Sequence, residues 1–540
     1  MRKLGIFLWI CVLALGLCLG GKTAWDFLSG TVGATGPATV SVHSLGQPAP
    51  ETLRDIEQAA AAFPQLLEER YQVSLQQSVD IWVSADTVKY EELLVKRLGV
   101  EEDKVKPKAQ YTSGESVGRK NIIALDGDKQ KMTDKSERYS TTGHELFHQL
   151  QYELSEGRSG YENSLFWLEE GTADYAGALL AEKMGGRSVE KWYMDDLFTL
   201  LNAREAAKVE KLQRTTEEER VQLLSGKAKN YTLSDVMVYY LLHKYGGDRP
   251  EQKIIAYYKG LAKGEAETVF AQAFGVELNA FLQEFSAWWQ GELSAPAQLE
   301  AVVRPQVDKS VARQFQKNIA ASRQWLQRHW GHDLKGRYKL VLVNGVEDYA
   351  AAMEEYCGVN AEEAKKTAAD SVWAENNSTL FVNAAKIEDS RQSAFVSSTM
   401  VSRLFILQQL GNEDTDMSWL LRGISYVAGV SRLVETGEGR LPDYQRAWRL
   451  ELRKNTPLPT VDKIMTADDM ARAMEQYGNE PVSHLCEYAA AELVRRYGWT
   501  ALYNWQLAAR RTGEGKQAFS QVFGITAADF AAQVYLMIYG

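Results

Sequence analysis

The sequence predicts an α+β protein made of two similar units, each a small β-sheet subdomain followed by a mainly helical subdomain. Three observations predict it. Short β-branched and aromatic runs (Ile81-Trp82-Val83, Asn121 to Leu125, Leu340-Val341-Leu342, Thr379 to Asn383) alternate with longer segments of helical apolar spacing. Pieces of the first half recur, in order, in the second. The composition, 45% apolar and 24% charged with 41 Gly and 12 Pro among 540 residues, is that of a folded globular chain. It excludes a disordered, collagenous or polytopic membrane protein.

Met1-Arg2-Lys3 precedes an uncharged run from Leu4 to Gly21, which Lys22 ends. Basic residues ahead of an apolar run read as an export signal, and the run is at the lower limit for crossing a bilayer. Residues 1–22 are therefore a signal peptide or an N-terminal membrane anchor. Either way the basic end stays in the cytoplasm and the bulk of the chain is extracytoplasmic, anchored or secreted. Membrane contact is expected only through this segment. Glu51 to Tyr71 reads as a first helix leading to the β run at Ile81. Lys96 to Arg138, rich in Lys and polar residues, reads as solvated surface. Asn121 to Leu125 is a second β run, and helices fill the rest of the unit.

The second half repeats these landmarks. Ile81-Trp82-Val83 matches Leu340-Val341-Leu342, and Leu98-Gly99-Val100 matches Cys357-Gly358-Val359, both at an offset of 259. Leu146-Phe147 matches Leu404-Phe405 at 258, Trp167-Leu168 and Gly171 match Trp419-Leu420 and Gly423 at 252, and Phe274-Gly275 matches Phe523-Gly524 at 249. An offset that drifts slowly in one direction is what small loop deletions produce in a duplicated chain. The units are placed at 36–292 and 297–540, with Pro296 and Pro305 punctuating the joint.

A net charge of −10 argues against nucleic acid as a partner, because phosphate binding needs a basic footprint. Four Cys make no disulfide framework. Cys11 and Cys18 lie in the N-terminal run, and Cys357 and Cys486 read as buried free thiols.

Histidine is scarce, seven in the chain, yet two of them form His144-Glu145-Leu146-Phe147-His148, an H-E-x-x-H pattern. At these His and Glu frequencies about 0.006 matches arise by chance. Ser140, Thr141 and Thr142 offer helix N-caps, and Leu146, Phe147, Leu150 and Leu154 supply an apolar face. On a helix, His144 and His148 share one face a turn apart and can bind one Zn²⁺, with Glu145 beside it to take a proton from water. A catalytic zinc needs a third protein ligand, and the helix starting at Trp167-Leu168-Glu169-Glu170-Gly171 offers Glu170. Asp174, one turn on, can reach the second nitrogen of a ligand histidine and fix its tautomer. His43, His243, His329, His332 and His484 form no ligand set.

H-E-x-x-H followed by W-L-x-E-G-x-A resembles the gluzincin metallopeptidases, in particular the peptidase MA-like families related to zinc aminopeptidases. The resemblance covers most of residues 36–292. It implies His144, His148 and Glu170 as ligands of one zinc ion, Glu145 as general base and acid, and Asp174 behind a ligand. It also implies a downstream Tyr or His that stabilises the oxyanion. Tyr231, 87 positions after His144, fits that spacing, with Tyr239 and Tyr240 as competitors. In such families a peptide adds as a strand to the sheet edge beside the metal helix. Asn121 to Leu125 is the candidate edge, with an interior strand as the alternative. The Gly-x-Met-Glu-Asn motif of the aminopeptidases is absent, which argues against recognition of an N-terminal amine.

In the second unit His144 maps to Ser402, Glu145 to Arg403, His148 to Ile406, Glu170 to Arg422, Asp174 to Tyr426 and Tyr231 to Ser483. Every chemical position is replaced, so 297–540 reads as a degenerate, inactive copy that packs on the first unit or binds a protein partner. The expected activity is hydrolysis of peptide bonds in a peptide or protein substrate by an exported zinc metallopeptidase. The alternative is a non-catalytic exported or membrane-tethered binding or scaffold protein with a residual metal site.

Overall fold

The computed structural model describes residues 38–540 except 129–131, 133, 161–162, 204, 206, 226–227, 411–415 and 455–457. The export segment expected at residues 1–22 lies outside the described residues. The fold is α+β, with two small mixed sheets among many helices. The first sheet contains β1 (Val40–Leu45), β2 (Val79–Ser84), β3 (Gly114–Val117) and β4 (Ile122–Asp126), in the order β1-β2-β4-β3. β1, β2 and β4 are parallel, and β3 runs antiparallel to β4 at the edge.

Alternation sets the two faces of this sheet. Val79, Ile81, Val83, Ile123 and Leu125 join a helical core on one side. Ala124 points to the other, where α2 (Thr87–Leu93) and α3 (Glu102–Tyr111) cover it with Tyr90, Leu93 and Val105. α1 (Pro50–Leu66) packs on the first face through Ile56, Ala59, Ala60 and Phe63.

Two expectations are corrected here. β4 is interior, hydrogen-bonded to β2 and β3, and the edge belongs to β3. β3 reads Gly-Glu-Ser-Val, with no apolar alternation to mark it as a strand; it is placed by the tight turn at Gly118–Lys120 and the left-handed Asn121 (φ 54°). The stretch from Lys96 to Arg138 is likewise more than solvated surface. It contains α3, β3 and β4, and Lys108 is buried with Nζ 2.6 Å from Glu115 Oε1.

Helices follow: α4 (Lys135–Leu154), α5 (Phe166–Lys183), α6 (Val189–Asn202), α7 (Glu217–Ser225), α8 (Asn230–Tyr245), α9 (Pro250–Leu261), α10 (Ala266–Phe274) and α11 (Leu278–Ser294). α4 begins earlier than expected. Its N-cap is Asp134, which accepts from Glu137 N at 2.8 Å. Ser140, Thr141 and Thr142 lie inside the helix, where Thr142 Oγ1 donates back to Arg138 O at 2.7 Å. α5 is apolar almost all round and sits between α4 and α8.

The second sheet contains β5 (Gln298–Val303), β6 (Arg337–Val343), β7 (Trp373–Asn376) and β8 (Thr379–Asn383), in the order β5-β6-β8-β7, with only β7 antiparallel. α12 (Lys309–Trp330), α13 (Val346–Cys357) and α14 (Ala361–Asp370) connect its strands. After the sheet come α15 (Ser390–Leu410), α16 (Ser418–Glu435), α17 (Leu441–Lys454), α18 (Ala467–Tyr477), α19 (Asn479–Thr512), α20 (Gly515–Phe523) and α21 (Ala527–Tyr539).

Several contacts occur twice. Trp167 stacks on Phe281 at 5.3 Å and Trp419 on Phe530 at 6.1 Å. A Cβ on Gly171 would lie 2.4 Å from Ser234 O, and one on Gly423 would lie 2.3 Å from Cys486 O. Both glycines therefore allow two helices to cross at backbone contact. α6 joins the halves. Its Phe198 packs in the core of the second half, and its buried Lys191–Asp195 pair grips the β7–β8 turn. Ser378 Oγ donates to Asp195 at 2.9 Å and Lys191 Nζ to Asn376 Oδ1 at 3.2 Å. Cys357 and Cys486 are buried and free.

Among the described residues no single helix is long and apolar enough to cross a membrane. The bent pair α20 and α21 passes on length and composition together, and its Phe519 and Phe530 pack on Trp419.

Gly423→Ala must push α16 from α19. It is expected to cost about 1–3 kcal/mol, the usual penalty for overpacking a core contact, read as a lower urea midpoint in equilibrium unfolding.

Candidate metal centre

His144 and His148 stand a turn apart on α4, and Glu170 faces them from α5. Their Nε2 atoms are 2.9 Å apart, and Glu170 Oε2 is 3.6 Å from the first and 3.5 Å from the second. Among the described residues, this is the one His/Cys/Asp/Glu group whose ligand atoms are close enough to share a metal ion.

The opposite ring nitrogens are both committed. His144 Nδ1 donates to Asp174 Oδ1 at 2.6 Å, and His148 Nδ1 donates to Gln151 Oε1 at 2.7 Å. The Gln151 amide is fixed because its nitrogen bonds Glu169 O at 2.8 Å, an atom that only accepts. With each Nδ1 protonated, each Nε2 presents a lone pair. Two lone pairs facing at 2.9 Å repel unless a proton or a metal cation lies between them. Burial alone would strip a proton from His148, but the Glu170 carboxylate outweighs it and holds the imidazole at about 10 in the metal-free protein. A divalent cation satisfies the same charge deficit, so the donor set fits a metal with two imidazoles and one carboxylate, the set used for zinc.

Glu145 is buried against β3. A Cβ on Gly114 would lie 2.6 Å from its Oε1, so the carboxyl rests where a side chain would otherwise be. Burial pushes this carboxyl up to about 7, against the pull of His144 and His148. Glu169, next to Glu170, is held by Ser164 Oγ and Arg220 Nη2, each at 2.7 Å. Arg220, from α7, also reaches the outer oxygen of Glu170 at 3.4 Å.

These groups border a cleft of about 950 Å³ that β3 lines along one side and Trp192 of α6 closes at another. Tyr231, at the start of α8, lines it too, its ring edge-on to Phe166 at 5.1 Å. The two competing tyrosines point elsewhere. Tyr240 donates to Glu284 at 2.7 Å, and Tyr239 stacks on Tyr193 at 3.7 Å.

Four contributors had no motif to announce them: Gln151, Arg220, Asp235 and Gly114. Gln151 was the most accessible, three residues after His148 on the metal face of α4. Asp235, on α8, lies within hydrogen-bonding reach of Asp174. Burial raises its carboxyl well above the ordinary value, and Asp174 and Asp196 raise it further. Kept neutral, Asp235 donates to Asp174 and leaves that carboxylate to accept from His144. In the second half the corresponding residues form no such group, and Ile406 is fully buried in the core.

No protein-family model matches this sequence, and no curated protein matches it.

Asp174→Asn and Gln151→Ala should each weaken metal affinity about 10–100-fold while leaving one ion per chain at saturation, checked by chelator competition. Because the folded-state carboxyl of Asp235 is raised, it favours folding at low pH. That contribution is lost as pH rises above the ordinary aspartate value of about 4. Thermal unfolding of the metal-free protein should show this loss, and Asp235→Asn should flatten it.

Proposed function

We propose that the protein is an exported, zinc-dependent metallopeptidase of the gluzincin kind, hydrolysing peptide bonds in its first half. The observation that carries this reading is the convergence of His144, His148 and Glu170 with Glu145 beside them, at the floor of an open cleft. A structural zinc site is closed by four protein ligands. Here three ligands and a separate buried carboxylate favour catalysis over a purely structural metal.

Zinc held by His144, His148 and Glu170 would supply a Lewis acid that acidifies water and polarises a scissile carbonyl. Asp174 and Gln151 orient the two imidazoles by holding their Nδ1 protons. Glu145 takes the proton of the attacking water and passes it to the leaving amine. A carboxyl at about 7 suits both transfers near neutral pH. Tyr231, whose phenol burial keeps protonated, donates a hydrogen bond to the oxyanion as it forms. The edge strand β3 supplies main-chain groups along which an extended peptide adds as a further strand.

The second half is proposed as a degenerate copy of the same unit. Its strand order, its Trp–Phe stack and its glycine at the α16–α19 crossing support this. Location outside the cytoplasm, by anchor or secretion, rests on the sequence of residues 1–22.

Glu145→Gln should retain one zinc per chain and lose cleavage of a peptide library followed by mass spectrometry. Cleavage at the parent rate would refute the assignment. Tyr231→Phe should lower kcat by about 10²–10³, the effect of removing one oxyanion donor, with zinc content unchanged.

A further inference from the structure

In the second half, the positions that match the metal centre carry a different set of groups. Ser402 and Arg403 lie on α15, Arg422 and Tyr426 on α16, and Ser483 on α19. Arg422 Nη2 donates to Ser483 Oγ at 2.8 Å and to Asn479 Oδ1 at 3.0 Å, and its guanidinium stands 5.2 Å from the Tyr426 ring centre. Arg403 Nε donates to Glu375 Oε1 of β7 at 3.0 Å. Tyr426 is within electrostatic reach of Arg422, Arg403, Glu375 and Glu487 together.

This network leaves donors over. Among the described residues, Nη1 and Nη2 of Arg403 and Nη1 of Arg422 have no hydrogen-bond partner. Ser402 is 1% exposed, yet its Oγ is also without a partner. An orphaned hydroxyl so fully buried opposes folding, and it is closed to a ligand at the surface. Ser402 occupies the position on α15 that matches His144 on α4. Two guanidinium groups and the carboxylates of Glu375 and Glu487 surround Tyr426, and Glu487 is also bonded by His484 Nδ1 at 3.0 Å. Planar guanidinium forks pair best with planar carboxylates. Through Glu375, Arg403 is bonded to β7, an edge strand whose only sheet neighbour is β8. A peptide strand added there passes directly beside the two arginines.

We propose that this second site binds a carboxylate, delivered by the C-terminus of an extended peptide or by a free small carboxylic acid. The substitutions that removed metal chemistry from this half turned the same helix crossing into an anion site. It needs no zinc and no hydrolysis by the first half.

The test uses the full chain carrying Glu145→Gln, so that no peptide is consumed. A fluorescein-labelled alanine-rich peptide with a free C-terminus is titrated by anisotropy, alongside its C-terminal amide. The amide should bind about tenfold more weakly, as should the free acid to Arg403→Gln and to Arg422→Gln, the loss expected for one charge-assisted hydrogen bond. Peptide held in the first cleft is insensitive to these two arginines, so the difference reports the second site. Displacement of the peptide by millimolar acetate assigns the carboxylate to a free acid, and no displacement assigns it to a peptide terminus. Equal binding of acid and amide, or binding unchanged in both arginine variants, overturns the proposal. Thermal unfolding checks each variant. Arg403→Gln, whose side chain bonds only Glu375, carries the test alone if Arg422→Gln fails to fold.

Discussion

Where α4 and α5 cross, Gly143 and Gly177 let the two backbones touch. A Cβ on Gly143 would lie 3.0 Å from Gly177 Cα, and one on Gly177 would lie 2.3 Å from Ser140 O. Any larger side chain here separates the helices, and the distances among His144, His148 and Glu170 depend on that separation. His144 and His148 belong to one helix and Glu170 to the other, so the three ligand atoms meet only at this interaxial spacing. The same spacing brings Asp174 to His144 and Gln151 to the carbonyl of Glu169. Gly171 repeats the device one layer out, admitting α8 close enough to bring Asp235 against Asp174 and Tyr231 to the cleft.

Such a site concentrates buried polar groups that oppose folding unless each is paired. An unmet buried donor or acceptor costs about 1–3 kcal/mol. The chain answers with a continuous network: Arg220 bonds Glu169 and Glu170, Gln151 bonds Thr172 and Tyr258, and Asp235 stays neutral beside Asp174. What the network does not neutralise is the pair of facing Nε2 atoms, which is why the cluster calls for a cation.

The second half has a similar helix crossing with different occupants. Gly423 and Gly429 still allow close contact, and Trp419 still stacks on Phe530. Arg422, at the sequence position that matches Glu170, bonds Ser483, at the position that matches Tyr231. The architecture is thus held by small residues and apolar contacts, while its chemistry depends on a few side chains lining one crossing. The halves are also mechanically joined. α6 places Trp192 in the first cleft and Phe198 in the second core, and clamps the β7–β8 turn through Lys191 and Asp195.

Much of this was legible in the residue string because it is local or periodic. The H-E-x-x-H spacing fixes two imidazoles on one helical face whatever surrounds them, and short apolar, β-branched runs mark β2 and β4. The α+β class follows from the same patterns. What the sequence left open was settled by contacts between residues far apart in the chain. The edge position went to β3, which has no strand signature, because a tight turn returns the chain beside β4. Which of Tyr231, Tyr239 and Tyr240 lines the cleft was decided by how α8 is rotated against α5 and α11. Arg220, fifty residues after Glu170, reaches it only because α7 folds over the cleft. Spacing along a helix dictates what one element presents. Which elements approach, and how closely, is decided by packing, and here by glycines whose importance shows only once the opposing backbone is in place.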